Sequence, residues 1–410
     1  MLLTKKDFAS PALRLFKMTS RHKRQLSIFC LPLLFSIISS SLCGCKVLQL
    51  QLQEPGGSKS WLTAGGDLAQ TGFRETGPTP PLELVNTFTF NAAPVQNLTA
   101  INDVLIVGTQ RGRIYAYDTA MKKAHGRIKL QDKIEPILSA HKDGLLLLGV
   151  KLGRETLACY DMQTAKYRWK RRAGLLSGQP VVADSSVYVV ARFKHADRYS
   201  LATGEHLWKY AFDSQAHTSS SLSEKLMIFG DDGGNVHALD RATGELRWQS
   251  GGGAAIFASP VIQNELIFVA SIDSTVRALR LADGGEVWRW KAGGGVRQTP
   301  AIGGGVLALG AGDGKCYGLD AKTGEMLWSF QAGSAISTSP LILGEVVYFG
   351  SLDKNFYALD LQTGKRLWQA ELRGRVRTNP LVVGDYVVVG SEDKHVFLFK
   401  EASSKLAPSE

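Results

Sequence analysis

The stretch Tyr357-Ala358-Leu359-Asp360-Leu361-Gln362-Thr363-Gly364-Lys365-Arg366-Leu367-Trp368 decides the reading of this chain, because it returns. Versions of it stand at residues 238–248 and 318–328, and tryptophans fall at 169, 208, 248, 288, 328 and 368, spaced by 39 residues once and by 40 thereafter. Self-similarity at a fixed period marks a repeat architecture. Upstream of the Trp comes an apolar run ending in Gly, such as Val346-Val347-Tyr348-Phe349-Gly350, and before that a Ser/Thr-Pro step at Ser259-Pro260, Thr299-Pro300 and Ser339-Pro340. Short β-branched and aromatic runs between turn residues read as strands. Asp-x-x-Thr-Gly reads as a hairpin turn, in which Asp accepts backbone N–H bonds two residues on and Gly supplies a positive φ. A repeat of this length holds four strands, and a repeated four-stranded unit is a propeller blade.

The Asp position recurs as Asp118, Asp161, Ser200, Asp240, Arg280, Asp320, Asp360 and Lys400, which makes eight units. Continued backward, the Trp position falls on Asn86 and Gly126. An outer-type strand at residues 84–90 thus precedes the first full set, and the last copy stops near Lys400 without an outer strand of its own. The two ends complete one blade between them. The expectation is an all-β, eight-bladed propeller of four-stranded blades over residues 82–400, closed by an N-terminal strand, with no free sheet edge left by an open ring. Trp169, Trp208, Trp248, Trp288, Trp328 and Trp368 are expected to wedge between blades. Residues 61–81 read as a lead-in segment and residues 401–410 as a polar tail.

The N-terminal region reads as an export signal. Arg21, Lys23 and Arg24 precede an apolar and serine-rich run over residues 26–42, which ends in Leu42-Cys43-Gly44-Cys45. Charge, apolar run and small residues in that order suit a translocated, cleaved segment. The alternative is an uncleaved membrane anchor. The residues before Met18 make the signal longer than such segments run, which points to Met18 as the start. Leu-Cys-Gly-Cys resembles the lipobox of bacterial lipoproteins, which implies removal of residues 1–44 and acylation of Cys45. Lys46 follows the cysteine, where enterobacterial lipoproteins kept in the inner membrane carry Asp, so the resemblance implies an outer-membrane lipid anchor. Residues 45–60, with Pro55-Gly56-Gly57-Ser58, read as a lipidated tether.

Charge narrows the partners. Of the formal +11, residues 1–44 account for seven Lys/Arg and one acid, Asp7, which leaves +5 for the rest, with both signs interleaved. That pattern excludes a nucleic-acid-binding stripe and leaves protein partners, with membrane contact through the N-terminal lipid.

Catalytic and metal motifs are weak. Asp231-Asp232-Gly233-Gly234-Asn235 imitates a metal loop, but in register it is a blade's second hairpin turn and it lacks the acidic last ligand of an EF-hand. Histidines 125, 141, 195, 206, 217, 237 and 395 form no His-x-His or His-x₃-His pair, so zinc has no support. Gly314-Lys315-Cys316-Tyr317-Gly318 imitates a nucleophile elbow. In register, Cys316 equals Val236, Val276 and Phe356, and Cys159 equals Ala238 and Ala358, so both read as buried small hydrophobes, unpaired and on opposite sides of the ring. No catalytic residue, cofactor or metal site is expected.

The variable positions at the start of each innermost strand remain: Ser177, His217, Phe257, Arg297, Ser337 and Arg377. Strand alternation puts them on one rim with the second hairpin turns. Arg171, Arg172, Leu175, Leu176, His217, Phe257, Arg297, Arg373, Arg375 and Arg377 make the candidate partner-binding rim, since arginine with scattered apolar residues suits a protein interface.

The unit Ala-Leu-Asp-x-x-Thr-Gly-x-x-x-Trp resembles the repeat of pyrroloquinoline-quinone (PQQ) type propellers over residues 61–400. With the lipobox, it resembles the BamB family, the propeller lipoproteins of the outer-membrane β-barrel assembly (Bam) complex. That resemblance implies a non-enzymatic scaffold facing the periplasm, binding the barrel-forming subunit and unfolded outer-membrane proteins. Two alternatives stay open. One is a PQQ-dependent dehydrogenase, a class that carries large insertions, a calcium site and vicinal cysteines not found here. The other is a cell-wall or glycan-binding propeller.

Overall fold

The computed structural model describes residues 47–50, 60–119, 123–130, 136–150 and 154–403. The signal segment, Cys45, most of the tether and the end of the tail lie outside the described residues. Among the described residues every regular element is a β-strand, and no helix is long and apolar enough to cross a membrane.

The strands form eight sheets, each with four antiparallel blade strands. Blade 7 shows the plan: an inner strand Leu341–Leu343, then Val346–Gly350, Asn355–Asp360 and an outer strand Arg366–Glu371. Blades 1 to 6 occupy residues 99–129, 136–171, 181–215, 221–250, 261–291 and 301–331. Blade 8 joins the two ends of the chain: Leu381–Val383, Tyr386–Gly390 and His395–Glu401 take Leu82–Thr89 as their outer strand. Asn86 lies opposite Leu398 there as Trp368 lies opposite Ala358, and Gly126 lies opposite Ala116, so the extrapolated Trp register holds at both degenerate copies.

The core sits between blades rather than inside a single barrel. One cluster joins Val306, Ala308, Cys316 and Trp328 of blade 6 to Ile342, Val347, Phe349 and Leu361 on the blade 7 side. Trp169, Trp208, Trp248, Trp288 and Trp328 each donate Nε1–H across such a seam, to the carbonyls of Leu201, Arg241, Leu281, Ala321 and Leu361, over 2.8–3.0 Å. Trp368 is half-buried and meets Phe399 of blade 8 edge to face at 5.3 Å. The hairpin turns behave as their residues dictate: Asp240 Oδ1 accepts the backbone N–H groups of Ala242 and Thr243 at 2.9 and 3.0 Å.

The lead-in segment closes the ring's centre. Carbonyls of Trp61, Leu62, Leu68, Ala69, Thr71 and Gly72 accept the backbone N–H groups of Ala100, Ala140, Leu222, Ile262, Ile302 and Ile342, one from the inner strand of each of six blades. Phe73–Arg74 then pairs in parallel with Leu341–Leu343. Inner-strand donors that would face an open channel are thereby satisfied.

The reading of residues 45–60 as a free tether is corrected at its start. Leu48 and Leu50 are buried, at 0 and 1% exposure, in the cluster between blades 1 and 2, and Leu50 N donates to Met162 O at 2.8 Å. The reason is packing. Blade 1 has Gly126 where later blades have Trp, and two alternating leucines from outside the ring fill that seam. At the other end, the last strand, His395–Glu401, runs one residue into the segment read as tail.

Candidate functional site

The connections between blades carry the candidate rim, and one layer of them is tied together around the channel. Gln179 N donates to Ser219 Oγ at 2.8 Å, Ser219 N to Ser259 Oγ at 3.0 Å, and Ser259 N to Thr299 Oγ1 at 3.1 Å. Ser339 N donates to Asn379 Oδ1 at 2.8 Å, and Asn379 Nδ2 to Asn97 Oδ1 at 2.6 Å. Partners in the first four of these bonds stand 40 residues apart. This is the physical content of the Ser/Thr-Pro step. A short hydroxyl or amide satisfies a backbone donor one blade back, and the Pro after it starts a strand without needing a donor of its own.

Above this belt opens a blind cavity of about 160 Å³ with Ala64 of the lead-in segment among its lining residues. Its walls are amide and hydroxyl side chains with Val95, Ile137 and Leu138 beside them, together with His217, Phe257 and Arg297, and no carboxylate. Three consecutive blade connections meet at its mouth. His217 Nε2 lies 3.3 Å from Asp232 Oδ2. The His217 ring meets Phe257 edge to face at 4.8 Å, and the Arg297 guanidinium lies 5.4 Å over Phe257. Burial pushes the Asp232 carboxyl above its ordinary range, opposed by the pull of His217. Gln96 Nε2 donates to Gln298 Oε1 at 2.5 Å and joins the two sides of the mouth.

A second group forms a groove of about 720 Å³ at the connection from blade 7 to blade 8, where Arg373, Arg375 and Arg377 alternate with the buried Leu372, Gly374 and Val376. Arg375 and Arg377 share Glu392, at 3.3 and 2.9 Å. The fork leaves Arg373 and Lys354 in the same groove.

The other candidates part company with these. Leu176 is corrected: it is 1% exposed and bridges to Ala191, so it is core and not rim. Its 40-residue equivalents Ile256, Val296, Ile336 and Val376 are buried as well, a register signal the sequence carried. Leu175 is half-buried and Arg172 exposed. Arg171 is exposed on the outer strand of blade 2, with its guanidinium donating to the carbonyls of Gly204 at 2.7 Å and Thr203 at 2.8 Å, which ties blade 2 to the turn of blade 3.

Sequence spacing held a signal for the partners Asp232, Gln96 and Gln298 that the rim reading left out, since Asp232 follows His217 by the same 15 residues that separate Glu392 from Arg377, and Gln96 and Gln298 take matching places ahead of the inner-strand residues Ala100 and Ile302, but spacing missed their meeting at the mouth. It also missed Asp197, buried between His206 Nε2 at 2.8 Å and the Nδ1 of His195. Two adjacent strands, rather than one, bring those histidines together. In the Asp231 turn, the buried carboxylate is taken up by Asn235 N at 2.9 Å and His237 Nε2 at 2.9 Å. Among the described residues no group of three or more His, Cys, Asp or Glu is placed to hold a metal ion.

Comparison with known proteins agrees with the repeat. A family model described as outer membrane protein assembly factor BamB matches residues 110–272 and again 272–407. The chain belongs to this family. Among solved structures, BamB from Moraxella catarrhalis superposes with a TM-score of 0.66 at 18% identity, over 78% of this chain and 99% of that one. A computationally designed protein, Ika8, gives 0.69 at 19%, over 78% and 99%. The quinohemoprotein alcohol dehydrogenase of Comamonas testosteroni gives 0.72 at 15%, over 86% and 82%. At these identities the likeness is one of fold, and family membership rests on the sequence match. No curated protein matches the sequence.

Proposed function

We propose that this BamB-family propeller is a non-enzymatic scaffold, anchored to the outer membrane through an acylated Cys45 and facing the periplasm, that binds protein partners in the assembly of outer-membrane β-barrel proteins. The observation that carries the reading is the mouth row Asp232–His217–Phe257–Arg297. It is an aromatic ring held between a cation and a histidine, partly exposed on a rim whose second group adds Arg373, Arg375 and Arg377. Aromatic and arginine anchors in a polar surround are what protein interfaces use.

The quinone-dependent alternative gets little help from the same residues. The mouth cavity is smaller than the roughly 300–1,000 Å³ of small-molecule sites and its lining has no carboxylate to hold a metal beside a quinone, while in the larger groove Glu392 is already shared by Arg375 and Arg377. Cys159 and Cys316 are buried in different blades. The test is affinity capture of the native protein from detergent-solubilised envelopes. Recovery of the barrel-forming assembly subunit is expected. Failure to recover it, with stoichiometric binding of pyrroloquinoline quinone plus calcium, would overturn the scaffold reading.

A further inference from the structure

The charge of this propeller is uneven around its perimeter. The outer strand of blade 1, Lys123–Lys129, carries Lys123, Arg127 and Lys129 and no acid. That of blade 2, Lys166–Arg171, carries Lys166, Arg168, Lys170 and Arg171 and no acid. The outer strands of the other six blades run only from a net −1, with Glu83 alone in Leu82–Thr89, to a net +1, with Glu286 against Arg289 and Lys291 in Glu286–Lys291. Lys129, Lys166, Arg168, Lys170 and Arg172 are exposed. Among the described residues Glu155 pairs with Lys170 at 3.0 Å and Asp161 with Arg168 at 2.9 Å, and these two acids are outnumbered by the seven Lys and Arg of the two strands. Tyr167, 39% exposed, lies among them with Lys170 Nζ 4.7 Å from its ring centre, an amphipathic side chain of the kind that suits a membrane–water boundary.

A second, independent observation falls on the same two blades. Val47 bridges to Arg127 on the outer strand of blade 1, Leu48 N donates to Arg127 O at 3.2 Å, and Tyr160 OH of blade 2 donates to Leu48 O at 2.8 Å. Gln49 Nε2 adds a bond to Gln163 O at 2.9 Å. Two residues of chain span at most about 7 Å. Whatever is bonded to residue 45 is therefore tethered within that reach of Val47, which lies against the outer strand of blade 1.

We infer that the outer edge of blades 1 and 2 is a lipid-contact surface, which lies against anionic phospholipid headgroups beside the chain's own anchor. The inference rests on the proposed acylation of Cys45 for its orientation and on the two basic strands for its affinity. Lipid anchors hold firmly when a basic patch supplements them, and lysine and arginine are drawn to an anionic surface over about a Debye length. Docking of residues 47–50 makes the two signals act at one place, and it sets the ring edge-on to the membrane with the channel mouth turned along it.

The chain from residue 46 onward, which lacks the acyl-bearing cysteine, is floated with vesicles of phosphatidylcholine with and without phosphatidylglycerol. Flotation only with the anionic vesicles, reversed by salt, is expected. Lys129→Glu with Lys166→Glu and Lys170→Glu should weaken it at least about tenfold, while Lys291→Glu with Arg366→Glu, on blades 5 and 7, should leave it unchanged. Binding to neither vesicle, equal binding to both, or equal loss in the two variants would overturn the inference. An acidic protein captured through the same strands without vesicle binding would do the same. The acyl mass on Cys45 of the membrane-purified protein is read separately. Its absence refutes the anchor and not the surface, and its presence without anionic binding refutes the surface and not the anchor.

Discussion

Trp248 of blade 4 and Gly284 of blade 5 are made for one another: a Cβ on Gly284 would stand 2.5 Å from the Trp248 indole, whose Nε1–H is bonded to Leu281 O at 3.0 Å. The glycine has φ +71°, so the turn and the indole make the same demand on this position. The same pairing recurs at Trp169 with Gly204, Trp208 with Gly244, Trp288 with Gly324 and Trp328 with Gly364. Trp and Gly of one repeat therefore never meet. Each serves the adjacent blade, and that makes the repeat a ring-forming unit.

Replacing Trp328, 7% exposed, by Ala should cost about 3–5 kcal/mol, the usual loss for a buried large aromatic. Trp248, only partly buried, should cost less. Gly284→Ala should destabilise the wild type but much less so a Trp248→Ala background, because the clash disappears with the indole while the strained φ remains. Urea denaturation of the four proteins reads the coupling, and strictly additive effects would show that the two residues act independently.

Deleting residues 61–74 should destabilise the ring even though the closing strand Leu82–Thr89 is kept, because six inner-strand donors lose their acceptors. Each unsatisfied buried donor costs about 1–3 kcal/mol, less where solvent enters the opened channel. The expected readout is faster hydrogen exchange at Ala100, Ala140, Leu222, Ile262, Ile302 and Ile342. Unchanged protection there would mean that the segment only decorates the channel.

The hairpin turns should give the protein an acid limit. The Arg247 side chain first, and then the backbone N–H of Thr243, hold the Asp240 carboxyl down to about 2 from an ordinary 3.8. A depressed folded value adds stability above the unfolded value, and that stability is lost as pH falls through the folded one. Asp240→Asn should therefore be less stable than wild type at pH 7, and the gap should close between about pH 4 and 2. Denaturant midpoints across that range check the sign, and a gap that widens in acid would contradict it. Asp240 is partly exposed and its partner Arg247 exposed, so solvent screens the pair and the effect should be small.

Cys159 and Cys316 sit in blades 2 and 6, on opposite sides of the ring, and are unpaired. Burial pushes the Cys159 thiol up to about 12 and drives Cys316 the same way, so neither supplies thiolate near neutral pH. In the chain from residue 46 onward, thiol reagents should label two cysteines slowly and completely only after denaturation. Fast labelling of either in the native protein would place it at the surface.

Much of the fold is legible in the repeat because the features that make a blade are local: Asp360 and Gly364 build a turn, and the run Val346 to Gly350 builds a strand. Counting to eight needs Asn86 and Gly126, which hold the register without the residue that marks it. What the repeat hides is what breaks it. Leu48 and Leu50 fill the seam that Gly126 leaves open, and no periodicity announces a filler from outside the ring. The lead-in segment has no repeat partner, so its place across the ring's centre is not readable from spacing. At the rim, His217, Phe257 and Arg297 align by spacing and Asp232 comes from the hairpin turn of His217's own repeat, while Gln96 meets Gln298 only because the ring closes. Leu176 misleads for the opposite reason: its register neighbours Ile256, Val296, Ile336 and Val376 mark a core position that its loop setting obscures.

Photo-crosslinking from single positions in cells tests the scaffold reading most directly. A photoreactive residue at Phe257 or Arg375, on the rim of the channel mouth, should form a discrete adduct containing the barrel-forming assembly subunit, while one at Thr363, in an exposed turn on the opposite rim, should not. Adducts with that subunit from Thr363 and none from Phe257 or Arg375 would contradict the account.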